Sequence, residues 1–342
     1  MTKSLRYLVP AALLAVTAVW ADEGRIPVFG VTGISQPGYY IVTRDISVAS
    51  GDVVDISASD VTLDLNGRTL SATGLGALVG VGSGVTDLTI KNGRLLGGQY
   101  GIWQLYTTRS RLRIENVEIR DPVTAGILIA ASEEIEVRNC RITGGASKIA
   151  ASAIRVDGNG GPFRGRFIDN TIEAVGSLNG VVLTGMLGGE FRGNRIAVTT
   201  TSGGTGVILT GAPSTPQGGN LVKGNSFILS GFTGLSITTE SSINQILENV
   251  FGGNGTVGLL VSSNQNRIAD NVISGNNNNG VMINGSRNVV EGNLINENGN
   301  FGIEFGVSSN LNVYRNNVVR GNIVGNVADD SGTNTNAGGN VF

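Results

Sequence analysis

The chain repeats itself, and no other feature limits its possible folds as much. A phrase of Gly, apolar residue, any residue, apolar residue returns through most of its length. It reads Gly101-Ile102-Trp103-Gln104, Gly126-Ile127-Leu128-Ile129, Gly180-Val181-Val182-Leu183, Gly206-Val207-Ile208-Leu209, Gly234-Leu235-Ser236-Ile237, Gly258-Leu259-Leu260-Val261, Gly280-Val281-Met282-Ile283 and Gly302-Ile303-Glu304-Phe305, with Ala153-Ile154-Arg155-Val156 in the one vacancy. Successive phrases start 25, 27, 27, 26, 28, 24, 22 and 22 residues apart. An Asn follows each start by 13 to 19 residues: Asn116, Asn139, Asn170, Asn194, Asn225, Asn249, Asn271, Asn293 and Asn316. Two signals advance together, as they do in a repeat architecture.

Short alternating β-branched runs separated by Gly and Asn fit a solenoid turn of three strands and three bends. Helical repeats fit poorly, because Gly and Asn at this density cost about 0.5 to 1 kcal/mol per helix-interior position. Stacked coils bring equivalent residues to about 4.8 Å, so the recurrent Asn is expected to form a column at one bend. Asn tolerates the left-handed backbone there, and its amide can bond the neighbours above and below. Earlier segments such as Val61-Thr62-Leu63-Asp64-Leu65-Asn66-Gly67 and Leu88-Thr89-Ile90-Lys91-Asn92-Gly93 follow the scheme more loosely. The reading is an all-β parallel β-helix of about eleven or twelve coils over residues 48–324, with an N-terminal cap at 22–47 and a C-terminal cap or tail at 325–342.

Composition removes much chemistry. The chain has no His, which excludes Ser-His-Asp and Cys-His nucleophile systems and imidazole-ligated zinc or copper. Residues 1–21 read as a secretory signal peptide: Lys3 and Arg6, an apolar run from Leu8 to Trp20, and a small-residue cleavage site ending at Ala21. Its removal leaves 22 basic and 26 acidic residues, a charge of −4, and no membrane span. An acidic balance argues against nucleic acid as a partner. Cys140, the single thiol, lies among the alternating aliphatics Ile135, Val137 and Ile142 and reads as a small buried hydrophobe. The expected location is exported, periplasmic or extracellular.

Pro37-Gly38-Tyr39-Tyr40-Ile41-Val42, then Asp60-Val61-Thr62-Leu63-Asp64-Leu65-Asn66-Gly67-Arg68-Thr69-Leu70-Ser71 and the Asn-rich coils, resemble bacterial exported right-handed parallel β-helix proteins of the pectate-lyase-like superfold. The resemblance covers about residues 30–340 and implies a right-handed helix, a preference parallel crossovers share. That superfold hosts lyases, hydrolases, epimerases and adhesins, so function rests on the site. The His-containing segments of polygalacturonase-like hydrolases and mannuronan epimerases cannot be completed here. Copper-handling β-helix proteins need His or Met ligands, and after processing only Met186 and Met282 remain.

A lyase survives this test, since uronic-acid elimination can use Arg or Lys as base with calcium neutralising the sugar carboxylate. In the repeat strand, positions one and three after Gly point inward and position two outward. The outward row is then Trp103, Leu128, Arg155, Val182, Ile208, Ser236, Leu260, Met282 and Glu304, mainly aliphatic rather than a charged groove. One local cluster stands out: Trp103 and Tyr106 as sugar contacts, Arg155 as a base and Asp157 as its charge partner, flanked by excursions at 144–152 and 158–163. The plainer reading makes Trp103 a core cover and Arg155 and Asp157 a surface pair. The Arg pairs 111/113, 164/166 and 192/195 read as solvated strand faces or as a track for an anionic ligand. Asp55, Asp60, Asp64, Asp329 and Asp330 offer oxygens for calcium but no known loop spacing, and bend chemistry explains Asp-Leu-Asn-Gly. The sequence therefore points first to a binding or structural module for a polysaccharide or cell-envelope component, with no cofactor or metal. The alternative is a polysaccharide lyase, with calcium possible.

Overall fold

The computed structural model describes residues 24–145, 148–159, 161–175, 179–199, 203–211 and 217–342. The segment 1–21, read above as a signal peptide, lies outside them. Every strand pairing among the described residues is parallel, and the chain winds into a right-handed parallel β-helix of about 12 turns. From Gly38 onward each turn visits three sheets in the same order. Sheet 1 contains the repeat phrase, as in Ser152–Asp157, Asn179–Thr184 and Thr205–Thr210. Sheet 2 contains Arg164–Ile168, Glu190–Arg192 and Leu221–Lys223, and sheet 3 contains Thr171–Val175, Arg195–Thr199 and Ser226–Ile228. The run Tyr100–Arg120 passes through all three without a break, pairing in turn with each. The same pairing extends into both segments read as caps: Arg25–Val28 pairs with Gly38–Val42, and Gly325–Asp329 pairs with Phe301–Phe305.

The repeat phrase has a steric cause. A Cβ on Gly101, Gly180, Gly206, Gly234 or Gly258 would lie 2.4–2.8 Å from the carbonyl oxygen of the next coil's phrase residue. Glycine lets the backbones approach there, and Ala153 is the one phrase position that carries a Cβ. The first and third following positions are sealed in the bore: Ile127, Ile129, Val181, Leu183, Val207, Leu209, Leu235 and Ile237 are 0–1% exposed. Burial of each such side chain contributes about 1.5–3 kcal/mol. Phe167, Phe191, Phe227 and Phe251 stack inside with centroid separations of 5.9, 6.2 and 4.9 Å.

The expected Asn column resolves into two adjacent ones. Asn116, Asn139 and Asn316 take positive φ (55, 49 and 55°), a bend position that Asp169, Gly193, Gly224, Glu248, Asp270 and Gly292 fill in other coils. The buried ladder lies one residue later and runs through Asn170, Asn194, Asn225, Asn249, Asn271, Asn293, Asn317 and Asn340. The left-handed tolerance of Asn and its capacity to bond above and below thus belong to neighbouring positions. Two more ladders occupy the other corners: Asn220, Asn244, Asn266, Asn288, Asn312 and Asn334, and Asn254, Asn276, Asn298 and Asn322.

A ladder rung closes several bonds at once. Asn249 Oδ1 accepts both the backbone N–H and the side-chain amide of Asn225 at 2.9 Å, while its own amide donates to the Val222 carbonyl at 2.9 Å. Asn249→Ala leaves these buried groups unpaired at about 1–3 kcal/mol each. It is expected to lower unfolding free energy by more than ~3 kcal/mol, whereas exposed Asn278→Ala changes it by a few tenths. Chemical denaturation of the two variants checks the contrast.

Candidate functional site

Sheet 1 places the outward row as expected. Asp55, Gly80, Trp103, Leu128, Arg155, Val182, Ile208, Ser236, Leu260, Met282 and Glu304 are neighbours in register, one per coil. Trp103 is half-buried and stacks on Tyr100, centroids 5.8 Å apart at 17°. Tyr100 was not singled out in the sequence; its position just before the Gly101 phrase was the available signal. Leu128 separates Trp103 from Arg155, so those two are two rungs apart, about 9.6 Å along the axis. Arg155 is exposed and makes no ion pair among the described residues. Asp157 lies two residues along the same strand, and its carboxylate accepts the Asn159 amide at 2.8 Å, a bend contact. Trp103, Arg155 and Asp157 share a face, and Arg155 and Asp157 are not an ion pair. The Tyr106 side chain lies outside what is described, as do parts of both flanking excursions.

Sheet 2 carries a charged surface that the repeat phrase does not reveal. Thr89, Arg113, Glu136, Arg166 and Glu190 form one column, and Lys91, Glu115, Arg138, Ile168, Arg192 and Lys223 the next. Glu136, 8% exposed, is met by Arg113 at 3.0 Å, Arg166 at 3.5 Å and Arg138 at 3.7 Å. Arg166 and Arg192 continue to Glu190 at 3.6 and 3.1 Å. Arg111 grips Asp87 through two bonds of 2.7 and 2.6 Å, which hold the Asp87 carboxyl below its ordinary range. A shallow cavity of about 260 Å³ opens between these groups, lined by Asp87, Thr89, Arg111, Arg113, Glu134 and Glu136.

The Arg pairs divide accordingly: Arg111, Arg113, Arg164, Arg166 and Arg192 lie on sheet 2, but Arg195 lies on sheet 3, where it and Arg141 hold Glu173 at 2.7 and 2.9 Å. Farther along sheet 2, the Arg315 and then the Arg267 guanidinium hold the Glu291 carboxyl below the ordinary glutamate range. That pairing contributes in full above the ordinary glutamate range and is lost as pH falls through the lowered folded value. Exposed pairs of this kind are worth about 0–1 kcal/mol each. Their main effect is to fix where the guanidinium groups stand.

Charge is segregated along the rod. Residues 24–87 hold 3 basic and 6 acidic groups, 88–199 hold 14 and 10, and 200–342 hold 5 and 8. The middle coils thus have an excess of four positive charges inside an acidic protein. Elsewhere the carboxylates serve bends. Asp64 accepts the Tyr39 hydroxyl at 2.6 Å and the Asn66 amide at 2.9 Å, and Asp329 accepts Ser331, Gly332 and Asn334. Among the described residues, no group of three or more His, Cys, Asp or Glu is placed to hold a metal, and no helix is long and apolar enough to cross a membrane.

Residues 176–340, just under half of the chain, match the family model NosD: Periplasmic copper-binding protein (NosD). No curated protein matches the chain. Among solved structures it is similar to the A-module of mannuronan C-5 epimerase AlgE6 from Azotobacter vinelandii, with TM-score 0.55 and 15% identity over 88% of this chain and 91% of that one. It is also similar to a mutant of the periplasmic alginate epimerase AlgG, with TM-score 0.61 and 12% identity over 89% and 76%. At these identities the likeness shows the parallel β-helix fold alone.

The donors that copper prefers are imidazole, thiolate and thioether, and this chain does not assemble them. It has no His. Cys140 is 2% exposed, and burial pushes its thiol up to about 12. Met186 is 2% exposed beside Phe163, while Met282 lies on sheet 1 four rungs beyond Val182.

Cys140 instead occupies the buried-ladder position one coil before Asn170. Its backbone N–H donates to Asn170 Oδ1 at 3.0 Å, and its thiol points at the carbonyls of Ile114 and Arg138. Cys140→Asn is expected to extend the ladder by one rung and raise unfolding free energy by about 1 kcal/mol. The native thiol should resist alkylation until the protein is denatured. A melting curve and a thiol titration with and without denaturant check both.

Proposed function

We propose that this protein is an exported β-helix binding module that holds a polysaccharide at the cell envelope. The observation that carries the reading is the half-exposed Tyr100–Trp103 stack on a regular outward column that also presents Arg155. An aromatic face on a rigid sheet suits the apolar side of a sugar ring, and a guanidinium nearby suits its carboxylate or hydroxyls. The leader sequence and a family model described as periplasmic support export. The alginate-directed names of the similar structures support a carbohydrate ligand.

The elimination reading keeps Arg155 as base, Asp157 as charge partner and Trp103 with Tyr106 as sugar contacts. It is less favoured, since Asp157 is engaged by its own bend and the rest of the column is largely aliphatic.

Trp20 and Trp103 are the only tryptophans and Trp20 falls in the segment read as a signal peptide, so in the protein from Asp22 onward the indole fluorescence reports on Trp103 alone. Titration with a panel of uronic-acid and neutral oligosaccharides is expected to give a saturable change, weakened at least tenfold by Arg155→Ala. No unsaturated-product absorbance should develop, with or without calcium. Absorbance that disappears in Arg155→Ala would establish the lyase instead, and silence toward every glycan would remove the binding reading.

A further inference from the structure

Two adjacent outward columns of sheet 2 place their cations in a pattern that neither column has alone. Going up the axis one rung at a time, the cation is Lys91, then Arg113, Arg138, Arg166 and Arg192. Lys91, Arg138 and Arg192 stand in one column and Arg113 and Arg166 in the other. Within these two columns the result is a zigzag with one positive group per rung, and Arg111 and Arg164 add a second cation to the Arg113 and Arg166 rungs in the column beside them. Its axial step is about 4.8 Å and its lateral step about 6.6 Å, two residues along a strand. The guanidinium side chains of Arg113, Arg138, Arg166 and Arg192 are 50, 44, 47 and 51% exposed, so an incoming ligand can reach them. Glu136 and Glu190 pin these four arginines and leave two positive charges uncompensated within the network.

We propose that sheet 2 binds a linear acidic glycan laid along the helix axis. Its sugar rise is close to the inter-strand spacing and its carboxylates project from alternate edges, so that successive carboxylates meet Arg113, Arg138, Arg166 and Arg192. This deepens the glycan reading by giving it a second, anionic face distinct from the Trp103 column. Thr89, one rung before Arg113, and the partly exposed carboxylate of Glu190 offer partners for sugar hydroxyls, which a phosphate backbone lacks at that density. A nucleic acid would ask for an unbroken basic stripe, and here every second group in the Arg113 column is acidic.

The test uses the full chain and fluorescently end-labelled (1→4)-linked oligouronates of two, four and eight units, the same octamer with its carboxyls reduced, and a short DNA duplex. Anisotropy should show affinity rising from dimer to octamer, falling with salt, and absent for the reduced octamer. Arg138→Gln with Arg166→Gln should weaken octamer binding at least tenfold and flatten its salt dependence. Arg267→Gln with Arg315→Gln, on the far coils, should leave it within twofold. Far-ultraviolet circular dichroism verifies that both variants remain folded. Octamer binding indifferent to Arg138 and Arg166 but lost in Trp103→Ala would overturn the track and leave the glycan reading standing. Equal binding of the reduced octamer, or preference for the duplex, would overturn the track on charge or on ligand class. Absence of binding to any glycan would remove both proposals.

Discussion

Hydrogen bonding between coils at about 4.8 Å is the constraint on which the rest of this molecule depends. Each coil donates and accepts along three strands, so equivalent residues are forced into columns, and any error is repeated against two neighbours. That spacing is why the phrase glycine recurs: from Gly206 to Gly234 to Gly258, the next coil's carbonyl occupies the place a Cβ would need. It also explains why Asn is used at the corners. A primary amide both donates and accepts in one plane, so each ladder residue satisfies the backbone of the coil before it and hands the same problem to the coil after it. The energetics are therefore cooperative along the axis, with nearest-neighbour interfaces carrying most of the stability.

Much of this was legible in one dimension because the solenoid writes its period directly into the chain. The phrase from Gly101 to Phe305 predicted sheet 1, its inward pairs and the outward row to the residue. The Asn signal was read one residue out of phase at Asn116, Asn139 and Asn316, because two adjacent positions both favour Asn for different reasons: left-handed φ at one, amide stacking at the other. A variable coil length blurs a one-residue offset, and only the register separates them. Cys140 marks where the buried ladder begins, with a thiol aimed at the same carbonyls that the ladder amides meet.

The candidate sites were less legible, again for a physical reason. Trp103 and Arg155 were found because they interrupt an aliphatic row, whereas their environment depends on contacts the repeat does not encode. Tyr100 stacks on Trp103 from outside the phrase, and Asp157 turns to its own bend rather than to Arg155. The sheet 2 charges lie in strands with no fixed phrase, at intervals of 23 to 30 residues such as Arg113 to Glu136 to Arg166. Alternation of sign across coils is invisible until the coils are stacked. Most of the basic stretch, from residue 88 to 175, also lies outside the part that matches the periplasmic family model, so family likeness does not carry it.

The zigzag has a structural side as well as a functional one. Like charges directly opposite on adjacent rungs destabilise a sheet, and a single column of arginines at about 4.8 Å would repel along its length. Interleaving Glu136 and Glu190 with Arg113 and Arg166, and shifting Arg138 and Arg192 to the next column, lets each rung from Arg113 to Arg192 carry a cation in these columns without stacking one on another; only beyond it does Lys223 follow Arg192 directly. Stability alone would be served as well by a neutral alternation, the pattern in which each Arg meets one Glu. What the middle coils hold instead is fourteen basic groups against ten acidic, placed between two stretches with the opposite balance. An excess of one sign confined to the flat middle of a rod, with its side chains half-exposed and held in a fixed register, raises the local potential where a long ligand can lie against it. The spacing that holds the coils together thereby becomes the ruler by which such a ligand is measured.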